Sequence, residues 1–337
     1  MTAEANDSPE LAHQPQSSPI LARFLTRRLV SRLYTAAVIA FILALLLKDR
    51  EAVSAALLSA SSLPLVLAVI VNTIALLVQG QTWAIIQRAT VNSSSAASPT
   101  THRDFWGWTH FFLVGYLGRY VPGKVSMLVG RVLLLEPLGY SKSSIISAAI
   151  FENLSFLTAG IAVGFVGLAS ISPTMLGSVV GSPFLLAVIL IAGVGVILSP
   201  LPEEFLRRAI LLVKPKSTAS LVTISPSTKL SAVSLSVVSN LLLGLSYALI
   251  LSAIASTDLS LHEMALATAV FPLAVAGGVL ALFAPSGIGV REAIIAALLA
   301  PAIDLELALL AAILIRVLMC LVEVSLFLVA KALSRRF

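Results

Sequence analysis

Long stretches without a charged residue recur along this chain, at 33–47, 63–86 and 158–184. They are of the order of the ~20 residues an α-helix needs to cross ~30 Å of hydrocarbon. Their Leu, Ala, Val and Ile follow no alternation of period two, which a membrane barrel requires, so helices are left as the way to satisfy the backbone in lipid. The pattern predicts membrane segments at 30–47, 63–87, 105–121, 124–138, 144–170, 183–200, 230–255, 263–284, 288–300 and 305–330. Four of these are short or interrupted, around Pro122-Gly123 and around Pro285-Ser286-Gly287. Proline removes a donor and clashes with the preceding turn, which breaks a helix. The expected fold is all-α: a polytopic membrane protein of about six full spans plus two Pro/Gly-broken re-entrant hairpins, 105–138 and 263–300.

Composition agrees. Of 337 residues, 58% are hydrophobic and 11% charged, against about 25% charged in an ordinary soluble domain. Residues 1–28, rich in Pro, Ser and Gln, read as a disordered cytoplasmic tail, followed by a retained first helix within one transmembrane domain over 29–337. The single cysteine, Cys320, falls in an apolar run, which leaves no disulfide framework or cysteine-based metal site.

A net charge of +6 raises nucleic acid as a partner, but the basic residues are scattered over short loops, and membrane topology accounts for them better. With both hairpins re-entrant, nearly every loop Lys and Arg lies on one side and only Lys48 and Arg50 on the other. That bias places both termini in the cytoplasm, here at the plasma membrane, and opens the two hairpins to opposite sides, an inverted arrangement. The basic stretch 201–229, with Glu203, Glu204, Arg207, Arg208, Lys214 and Lys216, is a cytoplasmic loop; a short amphipathic surface helix and a solvated loop are both open readings.

Two constellations carry candidate chemistry. The first is Arg119, Pro122, Gly123 and Lys124, followed by Arg131. A charge at the bilayer centre costs about 2.5–3.5 kcal/mol on insertion scales, so such residues normally face a cavity, a partner or a path. The break frees backbone N–H groups, and a helix starting near Lys124 favours an anion such as a lipid headgroup. Snorkelling of these side chains to the interface is the competing explanation. The second is Pro285, Gly287, Gly289, Arg291 and Glu292: glycines that permit positive φ, then a charged helix start. A tight turn carrying an ion pair explains it equally well. Also at depth are Glu152 with Asn153, Arg316 and Glu323. Glu152 is expected to be a counter-charge for Arg119, Arg131 or Arg316, favoured over a proton-coupling role, whereas Arg316 and Glu323, two turns apart, are not expected to pair. The four histidines are dispersed and no phosphate-loop motif occurs, so neither a metal, a cofactor nor ATP hydrolysis is expected.

The stretch Y-L-G-R-Y-V-P-G-K-V…G-R at 116–131, E-N at 152–153 and P-S-G-I-G-V-R-E-A at 285–293 resemble the flippase-like membrane domain of lysylphosphatidylglycerol synthases over most of the chain. That resemblance implies a helical domain moving a polar-headed lipid between leaflets, with Arg119, Pro122, Gly123, Lys124 and Arg131 matching one motif and Pro285, Gly287, Gly289 and Glu292 the other. Ser286 replaces a usual glycine, and Asn153 stands where an arginine is expected. The soluble aminoacyl-transferring domain has no counterpart here, so a stand-alone member that does not itself make an aminoacyl lipid is expected.

Three functions fit these readings. The leading one is a flippase for a lipid with an anionic headgroup, a phospholipid or a polyprenyl-phosphate sugar, rather than an enzyme. The second is a membrane transferase acting on a lipid-linked sugar through Glu152, Glu292 or Glu323. The third is a non-transporting partner subunit of a lipid-modifying enzyme.

Overall fold

The computed structural model describes residues 50–92, 104–120, 125–174, 177, 193–202, 204, 208, 223–281, 287 and 289–334. The tail, the first predicted span, most of 183–222, and the residues Pro122, Gly123, Lys124 and Pro285 lie outside them. All regular structure among the described residues is helical. The helices whose full extent is described include α1 (Arg50–Ser59), α2 (Ser62–Asn92), α3 (Phe105–Leu117), α4 (Val125–Leu135), α5 (Lys142–Ile171), α6 (Pro226–Ile254), α7 (Leu261–Leu280), α8 (Val290–Leu299) and α9 (Leu305–Leu333).

Helix starts are written in short polar residues. Asp104, Ser141, Ser225 and Asp304 cap α3, α5, α6 and α9 by accepting from the backbone N–H three residues on, which satisfies one of the otherwise orphaned donors. Ser260 and Glu263 close a reciprocal capping box on α7.

Among the described residues, five helices are long and apolar enough to cross a membrane: α2, α5, α6, α7 and α9. At 1.5 Å per residue, α3, α4 and α8 rise only about 15–20 Å, short of the ~30 Å hydrocarbon. The first interrupted pair therefore consists of two short limbs, α3 and α4, packed on each other. The second pair differs from expectation, because α7 has 20 residues and rises about 30 Å, a full span by length. Only α8 is a half-helix there.

Apolar burial drives little association between helices in lipid, so close backbone approach and interhelical hydrogen bonds hold the bundle. Ser239 and Ser246 of α6 donate to the Ala75 and Ala68 carbonyls of α2, at 3.0 and 2.9 Å. On α5, Gly160, Gly164 and Gly167 lie flush against α7, where a Cβ would meet Leu273 or Ala269 side chains within 2.6 Å at the latter two. Pro272 of α7 cannot donate to the Thr268 carbonyl, and Gly244 of α6 packs against that oxygen so tightly that a Cβ there would stand 2.0 Å from it.

Two apolar cores result. One, around α6 to α9, is built on Tyr247, which stacks on Phe271 with centroids 4.6 Å apart. The other joins α2, α3 and α5 around Trp83, Trp108 and Phe112 and reaches the C-terminal half of α9 at Val322, Leu326 and Ala330. Arg131, Glu152 and Glu323 are charged yet buried within the bundle.

Candidate functional site

Helix α9 carries the frame of the site. Arg316 and Glu323 flank its midpoint seven residues apart, about 10 Å along the axis and on one face. Glu323 receives Arg119, from the 3-10 turn Gly118–Tyr120 that ends α3. Arg316 donates to Oε1 of Glu292 in the first turn of α8. As expected, Arg316 and Glu323 do not pair with each other; each serves a different break.

The two breaks arrive from opposite ends of α9. The outer part of α3 packs near its C-terminal end, where His110 stacks on Phe327 at 5.3 Å. Helix α8 runs outward from Glu292 to the short turn from which α9 begins.

At the first break the Arg119 guanidinium stands 4.2 Å from the centroid of the Tyr116 ring and its side chain is 20% exposed. Arg131 of α4 is placed differently. It is fully buried, its Nη1 donates to Glu152 Oε2 at 2.9 Å, and its guanidinium lies 4.8 Å from the Trp83 ring centroid and 5.5 Å from that of Phe112. Gly115 makes room for it, since a Cβ there would come within 2.4 Å of Arg131 Cγ. Glu152 is thus the partner of Arg131 among the three cations it was expected to serve, and its other oxygen accepts from Gln79 Nε2 at 2.8 Å.

At the second break Gly287 has φ 71° and Gly289 φ 85°, backbone that L side chains rarely adopt. Gly287 also touches α7: a Cβ on it would lie 2.7 Å from Gly278 Cα. The Arg291 stem crosses the same glycine, 2.7 Å from a Cβ placed on Gly278. The Gly289 N–H donates to Glu292 Oε2 at 2.7 Å, so Glu292 starts α8 with one oxygen and holds Arg316 with the other.

Between the breaks lies a cavity of about 160 Å³ lined by residues of both motifs, Arg119 and Arg291, together with Glu152 and Asn153. Its remaining polar wall is Gln79 and Tyr116, and its apolar wall includes Phe156, Leu243, Val275 and Met319. Arg131 stands behind this wall and braces Glu152; Arg316 and Glu292 line a smaller recess beside Arg291. Among the described residues at this depth, four arginines (119, 131, 291 and 316) face three glutamates (152, 292 and 323), so the cluster carries net positive charge.

Sequence reasoning missed Gln79 and Gly278, and quoted Tyr116 within the first motif without giving it a role. Gln79 had a signal: Asn72 and Gln79 are amide side chains seven apart, on one face of α2, within its long apolar stretch. Gly278 had none, because its role depends on a neighbour from another segment.

None of the curated proteins compared matches the chain. A family model described as the lysylphosphatidylglycerol synthase TM region matches residues 30–325. With that match over most of its length and a bundle of membrane-length helices, this chain belongs to the lysylphosphatidylglycerol synthase TM-region family, a multi-pass membrane protein with a lipid-related role.

Proposed function

We propose that the protein moves a lipid with an anionic, phosphate-bearing headgroup between the leaflets of the plasma membrane. The observation that carries this reading is the cavity that joins Arg119 from one break to Arg291 from the other, between apolar walls. A guanidinium fork matches phosphate oxygens in two-point geometry, and Phe156, Leu243, Val275 and Met319 give the lipid's apolar part a matching surface. In this reading α3 and α4 form a hairpin entering from the cytoplasm, the α8 break opens to the opposite face, and both termini are cytoplasmic. The opposed approach of the two breaks along α9 supports that arrangement.

Transport is favoured over group transfer by what surrounds the carboxylates. Glu152, Glu292 and Glu323 each face an arginine, an arrangement that suits charge balance in lipid better than general acid or base work on a substrate.

The test is reconstitution into liposomes with fluorescent phosphatidylglycerol, an aminoacylated phospholipid or a polyprenyl-phosphate sugar. Accelerated leaflet exchange of at least one probe, slowed by Arg119→Ala, is the expected result. Exchange no faster than in empty liposomes for all three sinks the reading.

A further inference from the structure

The polar lining of the large cavity is unequal in charge. Among the described residues, Arg119 and Arg291 line it as cations and Glu152 as a carboxylate, while Gln79, Asn153 and Tyr116 are neutral. Both oxygens of Glu152 are engaged, Oε2 by Arg131 at 2.9 Å and Oε1 by Gln79 at 2.8 Å. Glu323 and Glu292 are likewise held, by Arg119 and Arg316. Four arginines against three glutamates leave positive charge in surplus. Lys229, buried in the first turn of α6 over the Phe151 ring, adds to it.

That balance discriminates between headgroups. One that carries an ammonium group beside its phosphate meets two guanidinium groups, and reaches a carboxylate only by opening an ion pair that is already made. Like charges brought together in an interface are costly, and so is breaking a buried pair. A phosphodiester whose second substituent is neutral brings one negative charge into the positive surplus and adds no cation to be repelled.

Gln79 shows what kind of neutral substituent fits. Its Nε2 donates to Glu152, which fixes the amide and makes Oε1 the acceptor. The residue is 3% exposed, and Oε1 has no hydrogen-bond partner among the described residues. Two turns away on the same face of α2, Asn72 Nδ2 is equally buried and equally without one. Asn72 lines a recess of about 20 Å³ that adjoins the large cavity, with Gln79 and Tyr116 among the residues lining both. A buried acceptor and a buried donor left unmade are each unfavourable, and a hydroxyl group satisfies either.

We infer that the site takes a phosphodiester headgroup bearing a neutral, hydroxylated substituent, excludes amine-bearing headgroups, and reads the hydroxyl through Gln79. This inference rests on the transport reading and narrows its cargo. Phosphatidylglycerol and a polyprenyl-phosphate sugar share the chemistry. Aminoacylated phospholipids and phosphatidylethanolamine do not.

The experiment uses the full chain in phosphatidylcholine vesicles, with fluorescent probes that differ in headgroup. Phosphatidylglycerol and a polyprenyl-phosphate sugar carry hydroxyls; phosphatidylmethanol is an anionic phosphodiester without them; phosphatidylethanolamine and alanyl-phosphatidylglycerol carry an amine. The faster of the two hydroxylated probes is expected to exchange between leaflets about tenfold or more faster than either amine-bearing lipid, and which of the two it is tells the source of the headgroup. It is also expected to outrun phosphatidylmethanol several-fold, and in Gln79→Leu that difference is expected to vanish. Amine-bearing lipids that exchange as fast as the hydroxylated probes overturn the selectivity while leaving transport intact. Equal rates for phosphatidylmethanol and the hydroxylated probes in wild type, or a difference that persists in Gln79→Leu, overturn the role of Gln79. Movement of no probe beyond the rate in empty vesicles removes the transport reading itself. Should Gln79→Leu fail to fold, the wild-type ranking of the five probes decides alone.

Discussion

Arg131 and Glu152 face each other at 2.9 Å with side chains 0% and 3% exposed, the most deeply buried ion pair among the described residues. Because both charges have left water, the pair is worth little as attraction and much as mutual compensation. Arg131→Met is therefore expected to destabilise the protein by about 3–5 kcal/mol. Combining it with Glu152→Gln is expected to recover most of the loss, because no uncompensated charge is left. Thermal unfolding in detergent checks this; equal melting of the single and double variants contradicts it.

Gly115→Ala probes the same pair from the other side. The added methyl meets the Arg131 stem within 2.4 Å, and overpacking of this kind costs about 1–3 kcal/mol. The melting temperature of Gly115→Ala should fall, and less so when Arg131 is already shortened to Met.

The second break separates two roles of glycine. Gly287→Ala combines positive φ with collision against the Gly278 backbone, whereas a methyl on Gly289 meets open space. Gly289→Ala is expected to cost about 1–2 kcal/mol for backbone conformation alone, and Gly287→Ala distinctly more. Similar melting temperatures for the two variants would refute the close contact of the break with α7.

Topology is accessible through cysteine labelling, since Cys320 is buried. Lys142 and Glu306, both exposed, stand at the starts of α5 and α9. With opposed breaks, Lys142→Cys is expected to label only from the cytoplasm and Glu306→Cys only from outside in intact cells. Labelling of both from one face contradicts the inverted arrangement.

Arg119 should matter more for transport than for folding, because its side chain keeps 20% of its exposure. Arg119→Lys retains the charge and loses the planar fork. Exchange in liposomes is expected to slow at least tenfold in Arg119→Lys, with a melting temperature near wild type.

The long helices were legible because composition decides them: the apolar run expected at 144–170 appears as Lys142–Ile171, extended at its start by the Ser141 cap. Helix α1 was not anticipated, since charges at Lys48, Arg50 and Glu51 make a three-turn helix resemble a loop. The expected 263–284 limb is a full-length α7 that carries Pro272 inside it, tolerated where Gly244 packs on the carbonyl it leaves free.

In the site, the arginines stood out as cations in apolar runs, but their partners did not. Arg119 and Glu323 are 204 positions apart, and no local spacing foretells that meeting. Positive φ at Gly287 and Gly289 was foreseeable, because a Pro-Ser-Gly-x-Gly stretch between apolar runs leaves little else. That Gly287 rests on Gly278 was not, as it depends on how α7 folds back on the break.

Helix α9 binds one break through Glu323 and the other through Arg316, two turns apart on a single rigid rod. The partners it grips come from opposite ends, one on the turn after α3 and the other at the start of α8. Whatever displaces that rod is therefore felt at both breaks at once, and a substitution that loosens α9 in its bed disturbs two sites that have no direct link through the chain.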